Sequence, residues 1–187
     1  MKFLIDGIDR LGKSTLAETI QQALGYHLYI HYSKPRELAA YKELEQSSNI
    51  KCLFNYQKKA NQTMLKLLES DVNLIMDRTH LGEAVYSDLY RGYNGDYVFE
   101  LERDVNPTND TYLILLYSSN LNMLVDDGQS FDFSRRSEEQ HLFFNAYEKS
   151  KLQKVCIDVC DNKGGYKDKM TVFREVMAFI CEKVTTK

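Results

Sequence analysis

The sequence predicts an α/β protein, a three-layer α/β/α sandwich around a five-stranded parallel sheet. Short apolar runs alternate with amphipathic stretches along the chain, which is the pattern of repeated strand–helix units. With 187 residues the chain suits one compact domain over positions 1–187. Hydrophobic residues at 43% and charged residues at 27% provide for a packed core, and two prolines leave no room for a Pro-rich linker or array.

Lys2–Asp6 is an apolar run ending in an acid and predicts a buried strand. Lys13–Leu24 predicts a helix, with Leu16, Ile20 and Leu24 at helical spacing. Tyr26–His31 predicts the second strand. Ser48 or Asn49 can cap a long helix reaching about Glu69, with Ile50, Leu53, Phe54, Ala60, Met64 and Leu68 on one stripe. Val72–Met76 predicts the third strand, ending at Asp77. Gly82–Arg91 predicts a helix that Gly92–Gly95 breaks. Tyr112–Tyr117 predicts the fourth strand, with Ser118 or Ser119 capping a short helix after it. Asp126–Ser134 is polar and aperiodic and contains Gly128, which predicts a loop free to move. Arg136–Ser150 predicts a helix and Lys154–Asp158 the fifth strand. Val172–Val184 closes the chain as an amphipathic helix packing through Phe173, Val176, Met177, Ile180 and Val184. In open sheets of this kind, ligands bind at the carboxyl ends of the strands.

The formal net charge of −3 argues against a protein that mainly coats nucleic acid, but allows a few cations to gather in one cleft for a small anion. No stretch approaches the ~20 apolar residues of a membrane span. The apolar start KFLI is short and runs into Asp6, unlike a signal peptide. Cys52, Cys156, Cys160 and Cys181 form no C-x-x-C pair and lie among apolar neighbours, so they read as reduced, packing thiols of a cytoplasmic protein. His27, His31, His80 and His141 show no metal-ligand spacing beside a carboxylate cluster and read as structural or surface residues.

Gly7-Ile8-Asp9-Arg10-Leu11-Gly12-Lys13-Ser14 fits G-x-x-x-x-G-K-S, between a predicted strand and a predicted helix. The glycines let backbone N–H groups converge on phosphate oxygens, and the helix starting at Lys13 adds its positive dipole end. Lys13 would reach the β- and γ-phosphates of a nucleotide, and the Ser14 hydroxyl would ligate Mg²⁺. Carboxylate repels phosphate, so Asp9 should turn towards a hydroxyl or amine of another ligand. Arg10 supplies a forked cation where a phosphoryl group could pass.

FLIDGIDRLGKSTL resembles the P-loop of thymidylate kinases, in particular those with an Asp-Arg pair inside the loop, and the likeness continues in order along nearly the whole chain. The chain resembles a viral or otherwise divergent deoxynucleoside monophosphate kinase. Ser33-Lys34-Pro35-Arg36 resembles the family's Phe-Pro-x-Arg segment, whose arginine grips the acceptor monophosphate; here the phenylalanine is absent and Arg36 directly follows Pro35. Leu53-Phe54-Asn55-Tyr56-Gln57-Lys58 resembles Leu-Phe-x-x-x-Arg. Phe54 would stack on the nucleobase or simply pack in the core, with Tyr56 as the alternative stacker. Lys58 replaces the family's arginine at the monophosphate, which forfeits bidentate gripping. Asp77-Arg78 matches the family's Asp-Arg pair, the acid organising magnesium and the arginine contacting the acceptor, while Thr79 stands where a tyrosine is usual. Glu83, Tyr86, Tyr90 and Arg91 share a helical face, from which one or two could line the base or sugar pocket. Residues 126–136 occupy the place of a short lid, whose Arg135 and Arg136 would close over the donor phosphates, and Glu138, Phe143 and Tyr147 continue the lid-to-helix passage.

The resemblance thus implies a P-loop kinase fold with ATP on Gly7, Arg10, Leu11, Gly12, Lys13, Ser14, Thr15 and Arg135. It implies an acceptor on Asp9, Arg36, Phe54, Lys58, Arg78 and Tyr86, with Mg²⁺ at Ser14 and Asp77. Arg10, Lys13, Arg78, Arg135 and Arg136 would carry catalysis, and Asp9 would accept from the sugar 3′-hydroxyl. A homodimer is implied in the same way, with neither nucleic acid nor membrane as partner. The expected reaction is ATP + dNMP → ADP + dNDP, with dTMP as first choice. The rivals are a deoxynucleoside kinase acting on the 5′-hydroxyl, a 5′-polynucleotide kinase, and a non-catalytic nucleotide-binding regulatory module. Arg36 and Lys58 favour the monophosphate over an uncharged acceptor.

Overall fold

The computed structural model describes residues 1–25, 27–32, 49–126, 128 and 132–185. Strands β1 (Lys2–Asp6), β2 (Leu28–His31), β3 (Leu74–Asp77), β4 (Thr111–Tyr117) and β5 (Gln153–Asp158) form one five-stranded parallel sheet in the order β2-β3-β1-β4-β5. All five residues of β1 are buried, Lys2 among them, as expected for a central parallel strand covered on both faces. Lys2 donates from Nζ to Thr108 Oγ1 at 2.7 Å.

Among the described residues there are six α-helices: α1 (Lys13–Leu24), α2 (Ile50–Lys66), α3 (His80–Tyr86), α4 (Tyr97–Arg103), α5 (Arg136–Lys149) and α6 (Lys169–Thr185). α1 packs with α6, while α3 packs against α2, α4 and α5. The core comes from both faces of the strands and the inner faces of these helices: Leu4, Ile5, Ile114 and Leu115 from the sheet, Leu16 and Ile20 from α1, Val176 and Ile180 from α6. None of the described helices is long and apolar enough to cross a membrane.

The predicted elements recur, with differences that have physical causes. Leu24, Ile50 and Val184, expected on packing faces, are exposed, because each lies at a helix end. The helix expected over Gly82–Arg91 starts two residues earlier, since the Thr79 hydroxyl accepts from Leu81 N and caps it; residues Ser87–Arg91 continue as a wider π-type turn ending at Gly92, φ 73°. α4 was not foreseen. It is a short helix with three charged residues in seven, and it packs because Gly95 lets its start approach α3 so closely that a Cβ would run into Ser87 Oγ and Glu83 O. The short helix after β4 is a single 3₁₀ turn, Leu121–Met123, capped by the Asn120 side chain; Ser118 and Ser119 do not cap it, and Ser118 Oγ instead donates to Asn120 O. Another 3₁₀ turn, Phe133–Arg135, capped by Asp132, begins inside the stretch expected to be loop. Cys160 is buried as expected, whereas Cys52 and Cys181 are exposed, and all four thiols are free.

Register places the site. Ile5 and His31 both stand beside Asp77, and Asp6 stands beside Leu115, so the carboxyl ends of β1, β2 and β3 come together with the loop that leaves β1.

Candidate active site

The loop from Gly7 to Gly12 turns through three left-handed positions, Gly7 at φ 135°, Arg10 at φ 74° and Gly12 at φ 78°. At Gly7 no side chain fits, because a Cβ would collide with the Leu116 carbonyl oxygen on β4. Gly12 is the N-cap of α1 and has no side chain to bond the first helical N–H groups, which therefore face the loop. Lys13 is buried and crosses the loop, its Nζ donating to Gly7 O at 2.9 Å and Ile8 O at 2.7 Å. Burial lowers its pKa, and Asp9, 3.9 Å away, counters that.

Asp6, fully buried at the tip of β1, ties this loop to the next functional segment. Its Oδ2 accepts from Thr79 N at 2.9 Å, Thr79 Oγ1 at 2.7 Å and Gly82 N at 3.1 Å, while Oδ1 accepts from Gly7 N at 3.0 Å. Burial raises its pKa despite these donors. Thr79 is thus the splint between β1 and α3.

The chain leaves β3 through Asp77 and Arg78. The Arg78 backbone N–H donates to Ile5 O at 2.8 Å, and its φ of 71° turns the side chain across to the P-loop, where Nη2 donates to Asp9 Oδ1 at 2.9 Å. Lys13 and Arg78 therefore share one carboxylate. Asp77 is fully buried, and its Oδ2 accepts from Ser14 Oγ at 2.6 Å, Tyr29 OH at 2.9 Å and His31 Nδ1 at 3.0 Å. Burial pushes this carboxyl up, but the three donors outweigh it and hold it below the usual range. Asp77 Oδ1 is buried with no hydrogen-bond partner among the described residues. A hydroxyl and an ionised carboxylate with one unpartnered oxygen, at the foot of a phosphate-binding loop, are hard oxygen donors that fit Mg²⁺.

Tyr86, on α3, packs its ring against Tyr90 at 6.0 Å and Phe143 at 5.7 Å, and burial raises its phenol well above the ordinary value with Glu139, Asp9 and Asp6 adding to the effect. Tyr90 OH donates to Glu139 Oε1 at 2.5 Å, and burial raises the Glu139 pKa, with Asp9 and Asp132 adding. Arg135 lies over the Tyr90 ring at 5.4 Å, but its guanidinium bonds Glu138 through Nε at 2.8 Å and Nη2 at 3.0 Å. Arg136 donates to Phe133 O at 3.3 Å and covers the Phe133 ring. Arg136 is thus engaged by its own segment, and Arg135 by Glu138, by Leu89 O at 3.4 Å and by the Tyr90 ring, while acids in the first turn of α5 offset the opposing helix dipole.

On the other side, Phe54 meets Tyr97 and Tyr93 edge-on at 5.0 and 5.5 Å, and Lys58 Nζ stands 5.8 Å over the Phe54 ring. Glu83 is buried and fully engaged, pairing with Arg91 and accepting from Tyr93 OH at 2.7 Å and Tyr97 OH at 2.9 Å, so it and Arg91 hold the helices together. Arg36 lies outside the described residues.

The structure therefore gathers Asp9, Lys13, Arg78, Ser14 and Asp77 into one constellation, with Tyr86 beside it. It sets Phe54 and Lys58 in a neighbouring aromatic wall. Sequence reasoning missed Asp6, Tyr29, His31, Glu139 and Tyr166, whose OH donates to Arg10 O at 2.9 Å and holds the loop from outside. The acid that ends the β1 run was a readable signal for Asp6; the other four needed the pairing of distant segments.

No curated protein matches the sequence. Among solved structures, the fold is similar to YorR from Bacillus subtilis in complex with phosphorylated GDP, at 16% identity over 96% of this chain and 95% of that one, TM-score 0.65. It is similar to thymidylate kinase from Candida albicans, at 16% identity over 100% and 93% of the two chains, TM-score 0.62. It is similar also to deoxyadenosine kinase from M. mycoides with bound dATP, at 21% identity over 95% and 98%, TM-score 0.59. The family model for thymidylate kinase matches residues 5–158, from β1 through the P-loop and the Asp77-Arg78 turn to the end of β5. With that match over most of its length, the chain belongs to the thymidylate kinase family, whose chemistry is nucleotide phosphotransfer.

Proposed function

We propose that this protein moves the γ-phosphoryl group of ATP onto a deoxynucleoside monophosphate, with dTMP as first choice (dTMP + ATP → dTDP + ADP), as a step of deoxynucleotide biosynthesis. The observation that carries this reading is the shared carboxylate. Asp9 lies 3.9 Å from the P-loop lysine and 2.9 Å from Arg78. A donor cradle and an acceptor-side cation thus adjoin, as in-line transfer between two bound nucleotides demands.

The attacking group would be a phosphate oxygen already ionised at neutral pH, so no strong general base is needed. The two nucleotides bring about six negative charges together. Lys13, Arg10 and Arg78 would offset these, with Arg36 and Lys58 on the acceptor phosphate and Arg135 and Arg136 swinging from Glu138 and Phe133 onto the donor. Gly7, Leu11, Gly12, Ser14 and Thr15 would line the donor phosphates with backbone N–H groups. Mg²⁺, when bound at Ser14 and Asp77, would neutralise the β- and γ-phosphate oxygens. Asp9 would take the sugar 3′-hydroxyl, Phe54 would face the base, and Tyr86 would wall the sugar. By likeness to the family, the working unit would be a cytoplasmic homodimer.

One observation favours a second reading. A half-buried carboxylate beside Lys13 and Arg78 could also take a proton from a 5′-hydroxyl, which would make the protein a deoxynucleoside kinase. The M. mycoides deoxyadenosine kinase shares the fold. An ADP-release assay across all deoxynucleosides and all deoxy- and ribonucleoside monophosphates decides. Turnover with dTMP and none with thymidine supports the first reading. Turnover with nucleosides alone replaces it with the second. ATP and dTMP bound together with no product formed would leave a non-catalytic nucleotide-binding module.

A further inference from the structure

Building on the phosphoryl-transfer reading of the site, we propose that Tyr29 and His31 are positioning residues for its divalent cation, holding Asp77 by one oxygen so that the other is presented to the ion. β2 is an edge strand, and His31 stands directly beside Asp77 in parallel register with Tyr29 two residues back. Period-two alternation puts both side chains on one face, and their rings lie parallel within 26° at 6.5 Å. From there the phenol and the imidazole reach the same atom, Asp77 Oδ2, at 2.9 and 3.0 Å, with Ser14 Oγ as the third donor at 2.6 Å.

Three donors saturate one carboxylate oxygen, since a carboxylate offers about four acceptor sites over its two oxygens. Rotation about the Cβ–Cγ bond is thereby fixed. An ionised carboxylate only accepts, so His31 Nδ1 carries the proton in this contact. Asp77 Oδ1, turned the other way, is buried and has no hydrogen-bond partner among the described residues. Had the cluster only a folding role, an orphaned carboxylate oxygen would be a defect in it. As the outer support of a cation ligand, the arrangement has the logic by which surrounding donors orient metal-binding groups. Tyr29 is 39% exposed and His31 stands exposed beside it, while Asp77 has no exposure at all, so the two β2 side chains also form the wall that keeps solvent from the carboxylate.

The test uses Mn²⁺ as a paramagnetic probe, titrated at one fixed pH into protein saturated with ATP. Tyr29→Phe and His31→Leu should each weaken Mn²⁺ binding, and the double variant by about 10-fold or more. His31→Asn, whose amide nitrogen can occupy the place of Nδ1, should restore most of the affinity. ATP affinity without metal should stay unchanged in all of them. Both β2 side chains are exposed, and Tyr29→Phe removes only a hydroxyl, so the folded state survives in at least that variant and is checked by circular dichroism. Wild-type Mn²⁺ affinity in the double variant, while Asp77→Asn weakens it, would overturn the positioning role. So would an Asp77→Asn protein that binds Mn²⁺ as the wild type does. A protein with no turnover on any acceptor but with the expected variant pattern in Mn²⁺ binding would defeat the kinase reading and leave this role standing.

Discussion

Arg78 donates from Nη2 to Asp9 Oδ1 at 2.9 Å, bridging the tip of β3 to the P-loop. The bridge is made with left-handed backbone at Arg78, φ 71°, and at Arg10, φ 74°, next to Asp9. Outside glycine, such positions cost about 1–3 kcal/mol each and persist only where the surroundings enforce them. Here the enforcing contacts are the Arg78 N–H bond to Ile5 O and the Tyr166 hydroxyl on Arg10 O. Strain is thus held at two arginines, one inside the P-loop and one paired with the loop's Asp9 carboxylate.

Asp9→Ala should lose acceptor affinity by about 10-fold or more, as expected for one hydrogen bond to a charged group. ATP affinity should hold, because Lys13 keeps its two loop carbonyls. Calorimetric titration with each nucleotide separately reads both effects. An unchanged acceptor affinity would remove Asp9 from that role.

Arg10→Gly removes the guanidinium and suits the left-handed backbone, whereas Arg10→Ala removes the charge and leaves the strain. Both should lower kcat, on the order of 10³-fold if the cation meets the transferring group, with little change in ATP affinity. Arg10→Gly should unfold at a higher temperature than Arg10→Ala, by about 1 kcal/mol in stability. A near-normal kcat in both variants would show Arg10 to be surface charge.

Gly7→Ala sets a methyl against the Leu116 carbonyl oxygen and forces left-handed geometry on a side chain. The cost should be about 2–4 kcal/mol, from overpacking and backbone strain together. Loss of ATP binding should accompany it, since the loop cannot close against β4. Denaturant unfolding with and without ATP measures both.

Glu102 gives the protein an acid-sensitive joint. Its carboxylate is buried and accepts from His80 Nε2 at 2.7 Å, Ser150 Oγ at 2.7 Å and Lys151 N at 2.6 Å. Burial pushes its pKa up, but these partners outweigh burial and hold it below the ordinary value of 4.5. Between the lowered folded value and the ordinary unfolded one, the unfolded chain binds more protons, so stability rises with pH across that window. The contribution is fully present above pH 4.5 and is lost as pH falls through the folded pKa. Glu102→Gln should flatten this part of the stability–pH curve and cost about 1–3 kcal/mol at neutral pH, because an amide with one acceptor oxygen cannot serve all three donors. Urea unfolding across the acidic range checks the slope.

The local patterns of the chain carried the strands, α1, α2 and α5, because each buries a stripe or run that repeats with its own period. Gly7-x-x-x-x-Gly12-Lys13-Ser14 and Asp77-Arg78 were readable for a similar reason, as backbone geometry and charge written into a few adjacent residues. His31 and Tyr29 were not. Their meaning comes from lying beside Asp77 on a neighbouring strand, and nothing within Tyr29-Ile30-His31 announces which strand that is. Glu139 looked like any acid in a helical first turn until Tyr90, 49 positions earlier, was seen to bond it. Thr79, read as a departure from the family's tyrosine, proves to be a helix cap and a partner of Asp6, two roles that a larger ring would not fill. Leu24, Ile50 and Val184 mark the opposite error, since periodicity says which face of a helix is apolar and not how far its neighbours extend.

The four hydrogen bonds on Asp6 bind the start of the P-loop and the start of α3 to a single carboxylate. Those two segments must travel as one rigid block. Any clamping that turnover would need is therefore left to segments outside that block, and the floor on which both nucleotides would rest stays put.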